Sequence, residues 1–206
     1  METTAAPLRT ATDEGRRWFC LDVVNRVDTR EDVAYPYEQL LGWVREAGGL
    51  PPDVVETLTT AAADDPDGAA DEVRRTTALL RAGFAVFHGL ATEGRADEAQ
   101  LAAIQAVHAD ALAHGRLEHT GRGFRWTWEP DLRLPRWLVA RSAIELVTDG
   151  PLRRVKVCAS EDGCSYLFVD TSKNNSRRWC SMADCGNTAK ARRLTEKRRA
   201  SRAGDH

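Results

Sequence analysis

The sequence predicts a mostly α-helical protein of the α+β class, in which a helical domain with one β-hairpin precedes a small ββα module. Three observations predict this class. Apolar residues recur at helical spacing through most of the first 150 residues. One short stretch there alternates between polar and apolar residues around two glycines. Four of the five cysteines lie together near the carboxyl end, which marks a second unit in a chain of 206 residues.

Prolines and glycines delimit the predicted helices. Proline is favoured in the first turn of a helix and glycine just after the last turn, and Pro36 and Gly48 frame one stretch in this way. The helices predicted on these grounds span residues 36–48, 51–63, 69–91, 96–114 and 135–150. Apolar residues three and four apart supply their expected core faces: Tyr37, Leu40, Leu41, Val44, Val73, Leu79, Leu80, Phe84, Phe87, Leu101, Ile104, Val107 and Leu112.

The period of the sequence changes in the stretch RLEHTGRGFRWTWE, residues 116–129. Two short alternating segments flank Gly121 and Gly123, a pattern typical of a β-hairpin. Trp126 and Trp128 are two residues apart and therefore project from one face of this hairpin, where we expect them to cover the helices.

The net charge of −2 conceals a division of charge along the chain. Residues 1–150 carry a net charge of −9, whereas residues 151–206 carry thirteen Lys and Arg against six Asp and Glu, a net charge of +7. The sign changes at Gly150 and Pro151, where we place the boundary between domains 1–150 and 151–206. A basic domain predicts an anionic partner, although a solvated basic tail on an acidic domain would have the same composition.

The sequence disfavours several classes of protein. No stretch approaches the roughly 18 apolar residues of a membrane span, and residues 1–20 lack the basic and apolar regions of a secretory signal. We therefore expect a cytoplasmic protein without a membrane partner. No G-x-S-x-G motif, phosphate-binding glycine loop or paired nucleophile and base occurs, so we expect no enzyme. The oligomeric state is left open.

The clustered cysteines form two close pairs, Cys158-x5-Cys164 and Cys180-x4-Cys185, with fifteen residues between the pairs. This arrangement allows four thiolates to converge, and a tetrahedral set of four cysteines is a common structural zinc site. Apolar segments around the first pair predict a short hairpin. Residues 181–184 are similar to a capping box and predict that the last cysteine lies at the start of a helix.

Other chemistries also use four cysteines. Two disulfides would close the same loops, although a reducing cytoplasm disfavours them. An iron–sulfur cluster takes four thiolates, and a redox pair would need exposed thiols of low pKa. We favour one Zn²⁺ with a structural role, since four protein sulfurs leave no coordination position open for catalysis.

The region that contains these cysteines resembles the CGNR-type zinc finger. The resemblance rests on VKVCA, LF, SRRWCSM and CGN at residues 155–159, 167–168, 176–182 and 185–187, together with Arg154, Cys164, Asp170, Ser172, Asn174 and Lys190. It implies a treble-clef-like fold in which Cys158, Cys164, Cys180 and Cys185 hold one structural zinc, and a nucleic-acid partner, DNA rather than RNA. Thr188 stands where the family has the arginine of its name.

The first 150 residues resemble the ABATE domain that is usually joined to this finger. The resemblance rests on FCLDVVNRVDTRED at residues 19–32, on LLGWVREAGGL at residues 40–50, and on the later order of helix, hairpin and helix. Such proteins are described as stress-induced transcription regulators. The resemblance therefore implies a DNA-binding transcriptional regulator whose N-terminal domain senses a ligand or mediates assembly.

Basic residues around and after the cysteines are the candidate contacts to nucleic acid. Backbone phosphates require several cations, and arginine also bonds guanine through two parallel hydrogen bonds. The candidates are Arg177, Arg178, Lys190, Arg192, Arg193, Lys197, Arg198 and Arg199. A zinc-stabilised protein-interaction module or an RNA-binding adaptor is the alternative interpretation.

Asp22 and Asn25 interrupt the apolar run of residues 18–27, whose secondary structure is ambiguous. Two roles suit these side chains: they line a pocket for a small-molecule ligand of the N-terminal domain, or they satisfy buried backbone groups. We favour the second. Cys20 in the same run is expected to be a buried apolar residue.

Overall fold

The computed structural model describes residues 18–27, 35–121 and 123–203, with side chains as far as residue 197. This part of the chain confirms a mostly α-helical fold with small antiparallel hairpins. None of its helices is long and apolar enough to cross a membrane. The elements are α1 (Phe19–Val24), α2 (Tyr37–Glu46), α3 (Pro52–Asp64), α4 (Pro66–Thr92), α5 (Glu98–His114), β1 (Arg116–His119), β2 (Phe124–Thr127), α6 (Leu134–Asp149), a 3-10 turn (Leu152–Arg154), β3 (Val155–Val157), β4 (Leu167–Val169), a π-helical turn (Met182–Gly186) and α7 (Asn187–Ala203).

The helices begin and end close to their predicted positions. Helix α2 ends before Gly48, whose φ of +84° is a left-handed conformation that glycine adopts without strain. Helix α4 starts at Pro66, three residues earlier than predicted. The Asp65 carboxylate accepts a hydrogen bond from the Gly68 amide at 2.9 Å, which caps the first turn and extends the helix to this point.

Helices α4 and α6 form the centre of the structure, and α1, α2 and α5 pack against them. Leu80 and Phe87 of α4 and Trp137 and Leu146 of α6 are almost completely buried. The predicted core faces of α2 and α4 are confirmed, except that Phe84 is only partly buried at the edge of the core.

The prediction for α5 holds only in part: Ile104 is buried, and Leu101 and Val107 pack against the core from its edge. Leu101, Val107 and Leu112 are half-buried. Helix α5 lies on the outside of the bundle, in contact with α4 and α6. Only a narrow strip of its surface, which includes Ile104 and Ala111, is therefore enclosed.

The apolar run of residues 18–27, whose secondary structure is ambiguous from the sequence, forms the short helix α1. Cys20 is completely buried, as predicted, and its amide donates a hydrogen bond to Ser142 Oγ of α6 at 3.2 Å. Burial raises the pKa of the Cys20 thiol to about 12, so that this thiol stays protonated at neutral pH. Cys20 is therefore a packing residue.

A buried ion pair joins α4 to α6. Arg136 donates from Nε to Glu72 Oε2 at 2.8 Å and from Nη2 to Glu72 Oε1 at 3.2 Å, and both side chains are 9% exposed. Charges are retained in such surroundings only when they are paired and hydrogen-bonded. The two parallel hydrogen bonds set how α4 and α6 face each other.

The hairpin β1–β2 pairs Leu117 with Trp126 and His119 with Phe124. The rings of Trp126 and Trp128 stack with their centroids 6.3 Å apart, as expected for side chains on one face. Trp128 Nε1 donates to the Ala111 carbonyl at 2.7 Å, so that the hairpin covers the end of α5.

The second hairpin, β3–β4, lies beyond Gly150 but packs against the helices that precede it. Val155 and Leu167 are 4% and 0% exposed and belong to the same hydrophobic core as the helices. Strand β3 runs along α4. The cysteine-bearing part of the chain therefore shares its core with the N-terminal part.

Asn25 joins the end of α1 to the backbone of β4. Its Nδ2 donates to the Leu167 carbonyl at 2.8 Å, and its Oδ1 accepts from the Leu167 amide at 2.8 Å. The same Nδ2 donates to the Leu21 carbonyl at 2.7 Å in the last turn of α1. One side chain thus satisfies backbone groups of two elements 142 residues apart, the role that we favour for it from the sequence.

We expect Asn25→Ala to lower the free energy of unfolding by about 2 kcal/mol, because the change leaves the amide and the carbonyl of Leu167 without these partners. Urea unfolding followed by circular dichroism measures the loss. Gln39→Ala, at an exposed position of α2, is the matched control and should change the free energy by less than about 0.5 kcal/mol. Equal effects of the two substitutions would contradict this account of Asn25.

Candidate metal centre and basic surface

Four cysteines from three segments converge at the end of the second hairpin. Cys158 follows β3, Cys164 precedes β4, Cys180 precedes the π-helical turn, and Cys185 lies within that turn. The four Sγ atoms lie within 4.8 Å of one another, and they form the only such group of metal-ligating side chains in the described part of the chain. The structure therefore brings together all four cysteines that the sequence predicts.

The sulfur separations fit a tetrahedral zinc site. Cys180 Sγ lies 3.8 Å from Cys164 Sγ and 3.7 Å from Cys185 Sγ. Four sulfurs at the usual Zn–S distance of about 2.3 Å would be about 3.8 Å apart. All four thiols are free, and the separations are far beyond a disulfide bond. The cysteines are thus positioned to bind one Zn²⁺, whose role with four protein sulfurs is structural.

Backbone hydrogen bonds hold the cysteines in these positions. The Cys158 amide donates to the Tyr166 carbonyl at 2.9 Å and closes the first pair, while the Cys180 amide points at Cys158 Sγ at 3.4 Å. Ser181 Oγ accepts from the Asp184 amide at 3.2 Å and caps the turn that carries Cys185, which confirms the predicted helix start. This helix start is a π-helical turn before it becomes α7.

The thiols respond differently to their surroundings. Burial raises the pKa values of Cys180 and Cys185. Burial also acts to raise the pKa of Cys158, but hydrogen bonds from backbone amides outweigh it and lower that pKa. Because zinc binds thiolates, metal binding must displace protons from the cluster, and the affinity for zinc rises with pH.

A buried carboxylate organises the polar loop that precedes Cys180. Asp170 is completely buried and accepts hydrogen bonds from Lys156 Nζ at 2.6 Å and from the amides of Ser172 and Arg177 at 2.8 Å each. Burial alone would raise the pKa of Asp170, but these hydrogen bonds hold it well below its ordinary value. Asp170 therefore stays ionised and ties both ends of the loop together.

Arg154 and Lys156 complete this scaffold. Arg154 donates from Nη1 to the carbonyls of Asp170 and Ser172, and Lys156 Nζ donates to the carbonyls of Asn175 and Arg177. Composition and charge do not single out these residues. The sequence marks them in another way, because Arg154, Lys156 and Asp170 all belong to the motif that resembles the CGNR finger.

Arg177 and Arg178, two predicted contacts to nucleic acid, face different surroundings. Arg177 donates from Nε to the Trp179 carbonyl at 2.8 Å and from Nη2 to the Cys180 carbonyl, and its guanidinium lies 4.7 Å from the centre of the Phe168 ring. Its charge is thus used to hold the backbone at the second cysteine pair. Arg178 is exposed, with its guanidinium 5.3 Å from the centre of the Trp179 ring.

The predicted cations of α7 also fall into different groups. Lys190, Arg193 and Lys197 are exposed. Arg192 forms ion pairs with Glu161 at 3.1 Å and Asp162 at 3.6 Å, in the loop between the first two cysteines, and with Glu196 in its own helix. The side chains of Arg198 and Arg199 lie outside the described residues. At the position of the motif's arginine, Thr188 Oγ1 donates to the Asp184 carbonyl at 3.1 Å.

A cleft of about 140 Å³ lies between part of α1 and the cysteine-bearing part. Asp22, for which a pocket role is the less favoured of two alternatives, lines it together with Trp18 on the same side and Phe168, Thr171 and Arg177 on the other. Asn25, the other candidate for a pocket, does not line the cleft but binds β4 beside it, in the role that we favour from the sequence.

Family models match both parts of the chain. Residues 18–150 match the ABATE model, described as "Putative stress-induced transcription regulator", and residues 154–198 match the model of the CGNR zinc finger. No curated protein sequence matches the chain at a significant level. The order of the two matches agrees with the order of the resemblances in the sequence.

We expect Cys180→Ser to abolish stable zinc binding, because it removes the thiolate that lies within 3.8 Å of two other ligands. Structural zinc supplies about 10–16 kcal/mol of apparent binding free energy to small fingers. Proteolysis should therefore cut the variant beyond residue 158 while α2–α6 resist. Metal analysis after dialysis against a chelator, followed by limited trypsin digestion, measures both effects.

Cys20→Ala is the matched control for this experiment, because it removes a thiol that lies outside the cluster. It should keep one zinc per chain. Retention of one zinc and of protease resistance by Cys180→Ser would exclude the four-cysteine zinc site.

Proposed function

We propose that the chain regulates transcription by binding duplex DNA. The chain belongs to the ABATE family and carries a CGNR zinc finger. The observation that carries this proposal is the exposed basic surface of α7, a helix that starts at the metal-binding turn. The proposed role is one of binding rather than catalysis, in the cytoplasm and at the nucleoid.

Zinc binding fixes the position at which this basic helix begins. Cys185 lies in the turn that continues directly into α7, so the metal fixes the first residues of the helix relative to the hairpin β3–β4. Lys190 and Arg193 follow at a spacing of three, which places them on one side of the helix. Cations held at fixed positions on a helix suit a row of phosphates, which supply most of the sequence-independent affinity for DNA.

Acidic neighbours moderate this surface. Glu161 and Asp162 pair with Arg192, which lies in the second turn of α7. Exposed ion pairs of this kind contribute little stability, but they offset one cation that would otherwise be available to phosphate. We therefore assign the phosphate contacts to Lys190 and Arg193 before Arg192.

We further propose that the N-terminal domain senses a small polar molecule in the cleft between α1 and the finger. Asp22 and Thr171 face this cleft from opposite sides, with Trp18 and Phe168 as its aromatic walls. Charged and hydroxyl groups beside two aromatic side chains suit a small polar molecule. Arg177 also lines the cleft and bonds the Cys180 carbonyl, so a ligand there would touch a residue that positions the metal-binding turn.

Salt dependence tests the DNA-binding proposal. If the zinc-loaded protein contacts about five phosphates, the logarithm of its affinity for a random duplex should fall with the logarithm of salt concentration with a slope of about −4.5. The double variant Lys190→Ala, Arg193→Ala should make the slope shallower by about 2, since it removes two cations. Fluorescence anisotropy across a salt series measures both slopes.

Arg192→Ala is the matched control, because its guanidinium already has acidic partners. It should change the slope by clearly less than one unit. Lack of any duplex binding at low salt would overturn the proposal and favour a protein-interaction module, and retention of RNA alone would favour the RNA-binding adaptor.

Thermal denaturation tests the sensing proposal. A low-molecular-mass filtrate of cell lysate should raise the melting temperature of the full chain, since a ligand that binds only the folded state stabilises it. Asp22→Ala should remove this increase, whereas Asp53→Ala, at an exposed carboxylate in the first turn of α3, should keep it. An equal increase for both variants would place the ligand elsewhere.

A further inference from the structure

In the loop of residues 171–178, between β4 and Cys180, hydrogen bonds hold the backbone and several side chains are exposed. Asp170 bonds the amides at residues 172 and 177, and Lys156 bonds the carbonyls at residues 175 and 177. The Ser176 amide donates to Ser172 Oγ at 3.0 Å across the loop. Main-chain polar groups are thus satisfied on the inner side, while the side chains of Lys173, Asn174, Ser176 and Arg178 are exposed.

Two adjacent asparagines of this loop have different roles. Asn175 adopts a left-handed conformation with φ of +50°, its carbonyl accepts from Lys156, and its Nδ2 reaches the Arg153 carbonyl at 3.4 Å. Asn175 therefore makes the turn. Asn174 next to it is exposed, and within the described residues its side-chain amide forms no hydrogen bond.

Helix α7 offers no comparable neutral group among the side chains described. The side-chain Nδ2 of Asn187 donates to the Ala183 carbonyl at 3.1 Å, and the hydroxyls of Thr188 and Thr195 donate to the carbonyls one turn before them. What α7 presents to a partner is positive charge. An asparagine amide can bond adenine through two hydrogen bonds, and an arginine can do the same with guanine.

The loop lies next to the segment that contacts α7. The Ala159 amide donates to the Arg178 carbonyl at 2.9 Å, and Glu161, two residues further along, pairs with Arg192 of α7. The guanidinium of Arg178 itself lies over the Trp179 ring, 5.3 Å from its centre. A loop whose backbone is already held in place loses less conformational entropy when its side chains bind a partner, which favours selective contacts.

From this arrangement we propose that the 171–178 loop reads base edges of duplex DNA, with Asn174 on adenine and Arg178 on guanine, while α7 contacts phosphates. This inference rests on the proposed DNA-binding function and adds the residues that choose the sequence. Phosphate contacts position a protein on DNA, whereas base contacts give it specificity.

The test begins with the zinc-loaded full chain and a pool of random duplexes, from which bound sequences are selected and compared. Wild type should enrich a short motif that contains adenine and guanine. Asn174→Ala should lower the ratio of affinities for the enriched and a scrambled duplex about tenfold, with affinity for the scrambled duplex within about twofold of wild type. Arg178→Lys, which keeps the charge, should lose the preference for guanine in the same way.

Control variants separate this inference from the underlying function. Lys190→Ala with Arg193→Ala should weaken binding to both duplexes equally, and Gln105→Ala, at an exposed position of α5, should change neither affinity. Zinc content and melting temperature establish that each variant is folded. An unchanged ratio in both loop variants, or no enriched motif for wild type, would overturn the inference while DNA binding stands. Absence of any duplex binding would overturn the proposed function as well.

Discussion

The convergence of four thiolates on one metal ion is the constraint on which the C-terminal part depends. The cysteines come from the hairpin β3–β4, from the loop after it and from the turn that opens α7, so one coordination sphere ties three segments together. Between these segments lie few apolar side chains, and α7 itself has mostly polar residues. Such a module cannot be held by burial of apolar surface alone, and the metal supplies the missing free energy.

A second constraint acts through charge. Asp170 is buried without solvent contact, which is tolerable only because Lys156 and two amides surround its carboxylate. The same lysine and Arg154 bind carbonyls of the neighbouring loop. The zinc thus fixes where the loop ends, and the buried carboxylate fixes the path that it takes between its ends.

Much of the fold follows from local patterns in the sequence. Prolines and glycines mark the helix ends, the 3.6-residue period identifies most core residues of α2 and α4, and cysteine spacing identifies the metal ligands. Predictions fail where a residue's role depends on a distant partner. The exposure of α5 depends on which helices lie beside it, and the inward side chain of Arg177 depends on carbonyls that face it only once the loop is folded. The pairing of Asn25 with Leu167 spans 142 residues and has no local signal.

Val155 and Leu167 are strand residues of the zinc finger, yet their side chains fill the space against helices that precede it. If the chain were cut at Gly150, the C-terminal fragment would expose both side chains to water at a cost of about 1.5–3 kcal/mol each. The N-terminal fragment would be left with cavities among its helices where these side chains pack. The finger is therefore not an independent domain that would keep its full stability when fused to another protein. The N-terminal helices support the finger, so the packing of α1 and α4 against it sets the orientation of the basic surface, and a flexible linker does not.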